Sequence, residues 1–285
     1  METEAGAKAR ALAEALPWMA RWAGTTAVVK YGGAAMTSAA VRESVAEDVA
    51  LMARAGTRVV LVHGGGPEID AMLRRLGLEP RFVGGLRYTD AETMDVVRMV
   101  LAGKVNKDLA SLLRSKGAKA LGLCGADGGM ILAKRYAKSD LGLVGEIESV
   151  DVAPLLAALG SGYVPVVATV AAGSDGESYY NVNADTAAAE IAIALGADRL
   201  LLLTDVPGIL RDVADPASLI REARAADIGA LVESGVVSKG MIPKVECCVR
   251  AVRGGVGRAQ ILDGRAPHSL LLEAYSDSAA GTVIL

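Results

Sequence analysis

Lys30 closes a β-branched run and is followed at once by Tyr31, Gly32 and Gly33, a position that suits a charge aimed at a ligand better than one merely solvated. Two more glycine-rich turns follow apolar runs, His63-Gly64-Gly65-Gly66-Pro67 and Gly125-Ala126-Asp127-Gly128-Gly129. Backbone N–H groups exposed by such turns, next to a helix N-terminus, hold an anion without any side chain. Turn geometry alone explains glycine at any one of them; two of them beside a Lys or a His turn the reading toward phosphate. Lys244 supplies a second cation. Pro243 reads as the first turn of a helix, and a lysine there opposes the helix dipole, which calls for a functional reason. Neither a GxxxxGK[ST] loop nor a GxGxxG after the first strand is present, which disfavours a dinucleotide-dependent oxidoreductase. A phosphoryl group moved here would be met by isolated lysines, backbone amides and a Mg2+ ion bound largely through nucleotide phosphates, with no metal site of the protein's own. His63 and His268 are the only histidines and form no Ser/His/Asp spacing, so both read as structural or merely polar.

The elements that must position these residues are legible as an alternation. Short apolar runs at Thr26 to Lys30, Arg58 to Val62, Lys119 to Leu123, Val164 to Ala168, Leu200 to Leu203 and Gln260 to Leu262 predict strands, and Tyr179 to Val182 a further one. Val41 to Arg54, Ala91 to Leu113, Ala184 to Leu195 and Val245 to Val252 predict helices between them. The pattern implies a mainly parallel sheet covered by helices. Leu12, Leu16 and Met19 share a helical face before the first strand, where Pro17 should kink or restart the helix; this segment reads either as a helix packed on its own lobe or as an oligomer-forming arm. Gly, Ser, Asp and Glu at Ser174 to Ser178 interrupt the apolar pattern and suggest a domain boundary.

Composition limits the partners. The 285 residues carry a formal net charge of -3 with no basic run, so nothing suggests a nucleic-acid or anionic-membrane surface and a small soluble substrate is the default partner. Three cysteines, Cys124, Cys247 and Cys248, form neither a disulfide framework nor a metal spacing and fit a reducing cytoplasm. Acidic Glu2 and Glu4 stand before the first apolar positions, and no apolar run approaches the ~18 residues of a membrane span, so neither export nor membrane insertion is expected.

Longer motifs carry a resemblance. Val29-Lys30-Tyr31-Gly32-Gly33, Val62 to Pro67, Gly85-Leu86-Arg87-Tyr88-Thr89-Asp90, Met94 to Arg98, Asp140 to Gly145, Tyr180-Asn181-Val182-Asn183-Ala184-Asp185, Leu203 to Gly208 and Gly240 to Lys244 run along nearly the whole chain. Together they resemble the amino acid kinase family, and the GLR-type and NVNAD-type segments resemble its arginine-pathway branch. The resemblance implies an α/β fold, a three-layer αβα sandwich with a mainly parallel open sheet shared by two lobes. On that division residues 1–24 form the N-terminal helix, 25–176 the amino-acid lobe and 177–285 the ATP lobe. It also implies transfer of the ATP γ-phosphoryl group to the side-chain carboxylate of N-acetyl-L-glutamate, in arginine biosynthesis.

Carried over residue by residue, Lys30 and Lys244 would reach the transferring group from opposite sides and Asp185 would hold both. Gly32, Gly33, Gly64 and Gly65 would offer N–H groups to phosphate and carboxylate, Arg87 would clamp the substrate α-carboxylate, and Asn181 would complete that site, with Asn183 beside it. Asn183 has turn chemistry as its plainer explanation. Asp205, Val206, Gly208, Ile209, Leu210 and Ser238 would face ATP. The family often has Asn at Ala34 and Gly84 and Lys at Ala126, which puts pocket details in doubt. A homodimer or homohexamer is implied, with Trp18 and Trp22 as candidate subunit contacts. Whether L-arginine acts as an effector, with Glu273 facing its guanidinium, stays open, because Gln260 and Ser278-Ala279-Ala280 depart from the arginine-site pattern; whether a PII-type signalling protein docks is open too. The rival readings are a kinase of carrier-linked aminoadipate or glutamate, and a catalytically silent arginine sensor.

Overall fold

A strand with no exposed position needs cover on both faces, and Thr26–Tyr31 is buried at all six of its residues. The computed structural model describes residues 3–36, 38–277 and 280–285. In chain order its first half holds α1 (Glu4–Trp22), β1 (Thr26–Tyr31), α2 (Ala39–Arg54), β2 (Arg58–His63), α3 (Gly66–Arg75), β3 (Phe82–Val83), β4 (Leu86–Arg87) and α4 (Ala91–Arg98). A π-helical stretch, Met99–Val105, leads into α5 (Asn106–Ser115), β5 (Ala120–Cys124), β6 (Ile131–Arg135), β7 (Gly145–Val150), α6 (Ala153–Gly160), β8 (Val164–Ala168), β9 (Val170–Gly173) and β10 (Tyr179–Asn181). The second half adds α7 (Ala184–Ala194), β11 (Arg199–Thr204), β12 (Glu222–Ala223), α8 (Ile228–Glu233), α9 (Ile242–Arg253), β13 (Arg258–Asp263), α10 (Ser269–Tyr275) and β14 (Gly281–Ile284).

Eight strands form one sheet in the order β12-β14-β13-β11-β1-β2-β8-β5, parallel throughout except where β14 runs against β13. β1 lies at the middle, pairing with β2 on one side and with β11 on the other. Strand periodicity divides the core in two. Ala27, Val29, Val59 and Leu61 join the buried cluster on one face, while Val28, Val60 and Val62 join that on the other. Helices cover both faces, which gives the expected three layers. A four-stranded sheet, β10-β9-β6-β7, and the β3–β4 hairpin flank the main sheet. No helix among the described residues is long and apolar enough to cross a membrane.

Three local features add detail to these expectations. The segment predicted as one helix from Ala91 to Leu113 is broken by its π-helical stretch, in which the Asn106 N–H reaches back to the Leu101 carbonyl. Val97, Leu101, Val105, Leu109 and Leu113 are all buried, at four-residue steps. In an α-helix each such step overshoots the face by roughly 40°, and the wider π turn takes up that drift. Residues 174–178 form the turn between β9 and β10, which are antiparallel neighbours in the small sheet. The apolar pattern stops there because a hairpin reverses.

The third concerns α1, which continues through Pro17 instead of restarting. Its start and end differ sharply in environment. Leu12 and Leu16 are 69% and 62% exposed, whereas Trp22 is 2% exposed. The Trp22 ring meets Tyr275 edge-on at 6.3 Å and lies under the Arg199 guanidinium at 4.2 Å. Trp22 therefore packs within its own chain and is not a surface for a second subunit. Trp18 carries the Arg21 guanidinium 5.0 Å above its ring and stays half-exposed.

Candidate active site

The parallel strands β1, β2 and β11 all end on the same edge of the sheet, and their C-terminal ends release the chain into the glycine-rich turns and the Asp205 loop. Open α/β sheets offer their ligand crevice at this edge. Lys30, one residue before the end of β1, is 7% exposed. Asp185 stands in the first turn of α7, whose N-cap is Asn183; the Asn183 Oδ1 accepts the N–H groups of Asp185 at 2.9 Å and Thr186 at 3.0 Å. Lys244 enters from the first turn of α9, directly after Pro243.

These three side chains meet. Lys30 Nζ lies 2.8 Å from Asp185 Oδ1, and Lys244 Nζ lies 3.1 Å from Asp185 Oδ2. Each ammonium thus has its own carboxylate oxygen, and the cluster keeps a net positive charge. Burial alone would push the Asp185 carboxyl up, but the two ammonium groups and the hydrogen bonds they donate outweigh it and hold Asp185 below the ordinary carboxylate range. The N-terminus of α7 favours the same anion. An anion arriving here finds two oriented donors already in place, with little water between them.

The lysines line a cavity of about 660 Å³. Gly32, Gly33, Asp205, Val206, Gly208, Ile209, Leu210 and Ser238, each expected from the sequence, line it too, with Val213, Val236 and Met241 completing an apolar wall. The lining therefore combines two cations and glycine turns with apolar side chains, a set complementary to an anionic chain joined to an apolar ring. β14 holds the far wall: the Ile209 N–H donates to Thr282 Oγ1 at 2.8 Å, and that hydroxyl donates to the Ile220 carbonyl at 2.6 Å.

A second cavity of about 190 Å³ is lined by Gly64, Gly65, Arg87, Asn181 and Asn183, with Phe82, Leu86, Leu101 and Val144 supplying apolar surface. The two cavities are neighbours, because a Cβ on Gly32 would stand 3.2 Å from Lys30 Nζ and 3.6 Å from Gly64 N. Arg87 is 8% exposed and held on three sides, by Asp70 Oδ1 at 2.6 Å, by the Gly66 carbonyl that accepts from it at 3.3 Å, and by the Phe82 ring at 4.7 Å. The Asn181 Nδ2 donates to Thr89 Oγ1 at 3.2 Å, and Thr89 donates to the Arg87 carbonyl at 3.1 Å.

Several residues do something other than expected. The Gly64 N–H, expected to face a ligand, donates to the Tyr31 carbonyl at 3.2 Å and ties the two glycine turns together. Asn183 lines the small cavity but uses its side-chain oxygen as the helix cap. Gly84 and Gly85 form the two-residue turn of the β3–β4 hairpin with φ of 58° and 82°. Asn and Gly serve the first position of such a turn equally, so the departure at Gly84 leaves the hairpin intact. Ala126 lines a separate concavity with Arg98, Asp127 and Tyr179, away from the lysines. The side chain of Ala34 lies outside the described residues, as do Ser278 and Ala279. Glu273 is engaged within the chain: one oxygen accepts from Gln260 Nε2 and the other from the Ala280 N–H at 3.0 Å.

Asp70 carried no signal in the sequence, since only the fold sets α3 against Arg87. Asn106 was equally invisible. His63, read as structural or polar, is 0% exposed and bonded through both ring nitrogens, while His268 pairs through Nδ1 with Asp48 at 2.6 Å. Burial drives the His63 imidazole down to about 4, with Lys107 adding to the same direction against the Gly64 carbonyl.

Known proteins share these features. Residues 25–263 match the model of the amino acid kinase family. An acetylglutamate kinase from Heliobacterium modesticaldum is 53% identical over 98% of this chain and 98% of its own. An acetylglutamate kinase from Clostridioides difficile is 53% identical over 97% of this chain and 96% of its own. Among solved structures, N-acetylglutamate synthase from Neisseria gonorrhoeae, complexed with coenzyme A and N-acetyl-glutamate, superposes with a TM-score of 0.83 at 27% identity. That match covers 97% of this chain but only 63% of the synthase, so this chain spans less than two thirds of that protein's length. With residues 25–263 matched by the family model, nearly its whole length matched by such relatives and its lysine pair lining the larger cavity, the chain belongs to the amino acid kinase family.

Proposed function

We propose that this protein transfers the γ-phosphoryl group of ATP to the side-chain carboxylate of N-acetyl-L-glutamate, forming an acyl phosphate on the route to arginine. The observation that carries the reading is the Asp185 carboxylate bridging Lys30 and Lys244 where the two cavities adjoin. Curated relatives that are acetylglutamate kinases at 53% identity over nearly the full chain support the same activity.

The chemistry asks little covalent work of the protein. A carboxylate nucleophile has no proton to lose at neutral pH, so no general base is required. What limits the rate is the charge spread over the equatorial oxygens of a loose phosphoryl transition state, and fixed donors in a water-poor cleft meet that charge without reorganising. Lys30 and Lys244 are such donors, and Asp185 is the positioning residue that keeps each from swinging into solvent. The cleft fits a triphosphate: two cations, glycine turns, apolar side chains. Among the described residues lining it Asp205 is the one carboxylate, and nearby Asp185 is committed to the lysines, so Mg2+ would come held mainly by the nucleotide phosphates and would neutralise charge there. Arg87, already rigid, presents a planar fork that pairs with an α-carboxylate as Lys cannot. Asn181 stands beside it, and the apolar lining accommodates the acetyl methyl group.

On this reading the half of the main sheet from β1 to β5 carries the amino acid and the half from β11 to β12 carries ATP. We also propose a cytoplasmic homodimer or homohexamer with L-arginine as effector; the exposed Leu12 and Leu16 face of α1 supports an arm that joins subunits. Light scattering reads the assembly, a titration of activity with L-arginine reads the effector, and co-purification with a PII-type protein reads that partner. The activity itself is read by ADP release. N-acetylglutamate should support turnover at least ~100-fold above glutamate, aspartate or aminoadipate, in keeping with the penalty for leaving built polar groups unpaired. Equal rates with any of these three would exclude the proposed substrate.

A further inference from the structure

We infer that Asn106 is a positioning residue for phosphoryl transfer, acting through His63 on the Gly64 turn between the two cavities; this rests on the kinase reading given above. Both side chains are 0% exposed. The Asn106 amide nitrogen lies 2.7 Å from the Val166 carbonyl, 3.1 Å from the Leu123 carbonyl and 3.1 Å from His63 Nε2. Two of these partners can only accept, so the amide must turn its nitrogen toward this side and its oxygen away. The oxygen indeed accepts from Lys107 Nζ at 3.0 Å, and that ammonium also donates to the Gly122 carbonyl at 3.2 Å. The fold makes room for this amide. A Cβ on Gly122 would stand 2.2 Å from Asn106 Oδ1, so β5 has a glycine where the side chain docks.

The bonding fixes the histidine tautomer. His63 Nδ1 lies 2.8 Å from the Gly64 carbonyl, which can only accept, so Nδ1 carries the proton. Nε2 then keeps its lone pair and accepts a share of one Asn106 N–H, the hydrogen it divides with the Leu123 carbonyl, since two N–H groups serve three acceptors. From there the chain of contacts continues forward: the Gly64 N–H donates to the Tyr31 carbonyl at 3.2 Å, and Tyr31 is followed by Gly32 and Gly33 at the nucleotide cavity. One buried amide thereby sets the carbonyl of Gly64 through the imidazole and the spacing between the turns that flank Lys30. The π-helical stretch brings Asn106 to the sheet, since its N–H closes on Leu101 rather than one residue later.

The test has two parts, and the first needs no activity. With only two histidines in the chain, a His268→Gln background leaves His63 as the single imidazole. Its 15N spectrum should show Nδ1 protonated and Nε2 bare, unchanged from pH 8 to 5.5, with Lys107 the charged group beside the network. A protonated Nε2, or titration near the ordinary imidazole value of 6.5, would overturn the relay whatever the protein phosphorylates. The second part is kinetic. Asn106→Asp keeps the shape but replaces a donor by an acceptor. The folded variant should gain a proton on His63 Nε2, lose on the order of 10- to 100-fold in kcat and raise the N-acetylglutamate KM, while the ATP KM stays within about twofold. A folded Asn106→Asp protein with unchanged kcat would show that the network serves stability alone. Failure of the wild type to phosphorylate N-acetylglutamate would instead sink the kinase reading and leave the tautomer result standing.

Discussion

Among single residues, Asp185 has the most demanding task, because it satisfies two cations from a nearly dry position. Lys30→Ala and Lys244→Ala should each leave the fold intact and lower kcat by ~100-fold or more, the loss that follows removal of one oriented donor. Wild-type rates in either variant would contradict the assigned roles, and circular dichroism would verify the fold. His63 makes a prediction about stability. Its folded-state value of about 4 lies below the unfolded 6.5, so between these values the unfolded chain holds a proton that the native state refuses. The contribution is complete above pH 6.5 and is lost as pH falls toward 4, at up to about 1.4 kcal/mol per pH unit. Urea midpoints of the His268→Gln protein at pH 7.5, 6.5 and 5.5 measure it, and His63→Gln should flatten the part of the slope above pH 5.

At the scale of elements, Asn183 shows how a helix start and a catalytic constellation share one residue. Its cap fixes the first turn of α7, and that turn carries Asp185. Asn183→Ala should cost about 1 kcal/mol in unfolding free energy, with a fall in kcat larger than this stability loss explains; a loss of stability with unchanged kcat would separate the cap from the chemistry. Much of this level was legible in the sequence. The buried parallel strands announce themselves as continuous apolar runs, since both of their faces are covered. β7 and β14 do not, because Gly145–Val150 alternates polar residues along a half-exposed strand and Gly281–Ile284 is only four residues long. The lysines were flagged by their positions beside glycine and proline. That Asp185 joins them came from resemblance alone, as nothing in their spacing sets three distant segments side by side. Asp70 and Asn106 escaped notice for the same reason: their partners are neighbours only after folding.

For the molecule as a whole, stability rests on two apolar layers either side of one sheet, with Trp22 anchoring α1 to α10. Trp22→Ala removes a fully buried ring and should lower the unfolding free energy by about 3–5 kcal/mol; a change below 1 kcal/mol would mean that α1 packs without it. The order of the strands has its own consequence. β1 is made early, yet one of its two edges is sealed only by β11, which lies far along the chain. Until β11 arrives, a nascent or truncated chain exposes a largely apolar edge with its amides unmatched, the kind of surface on which strands from other copies add. Halves expressed separately should therefore precipitate, and yield in cells should depend on chaperones that shield this edge during the wait.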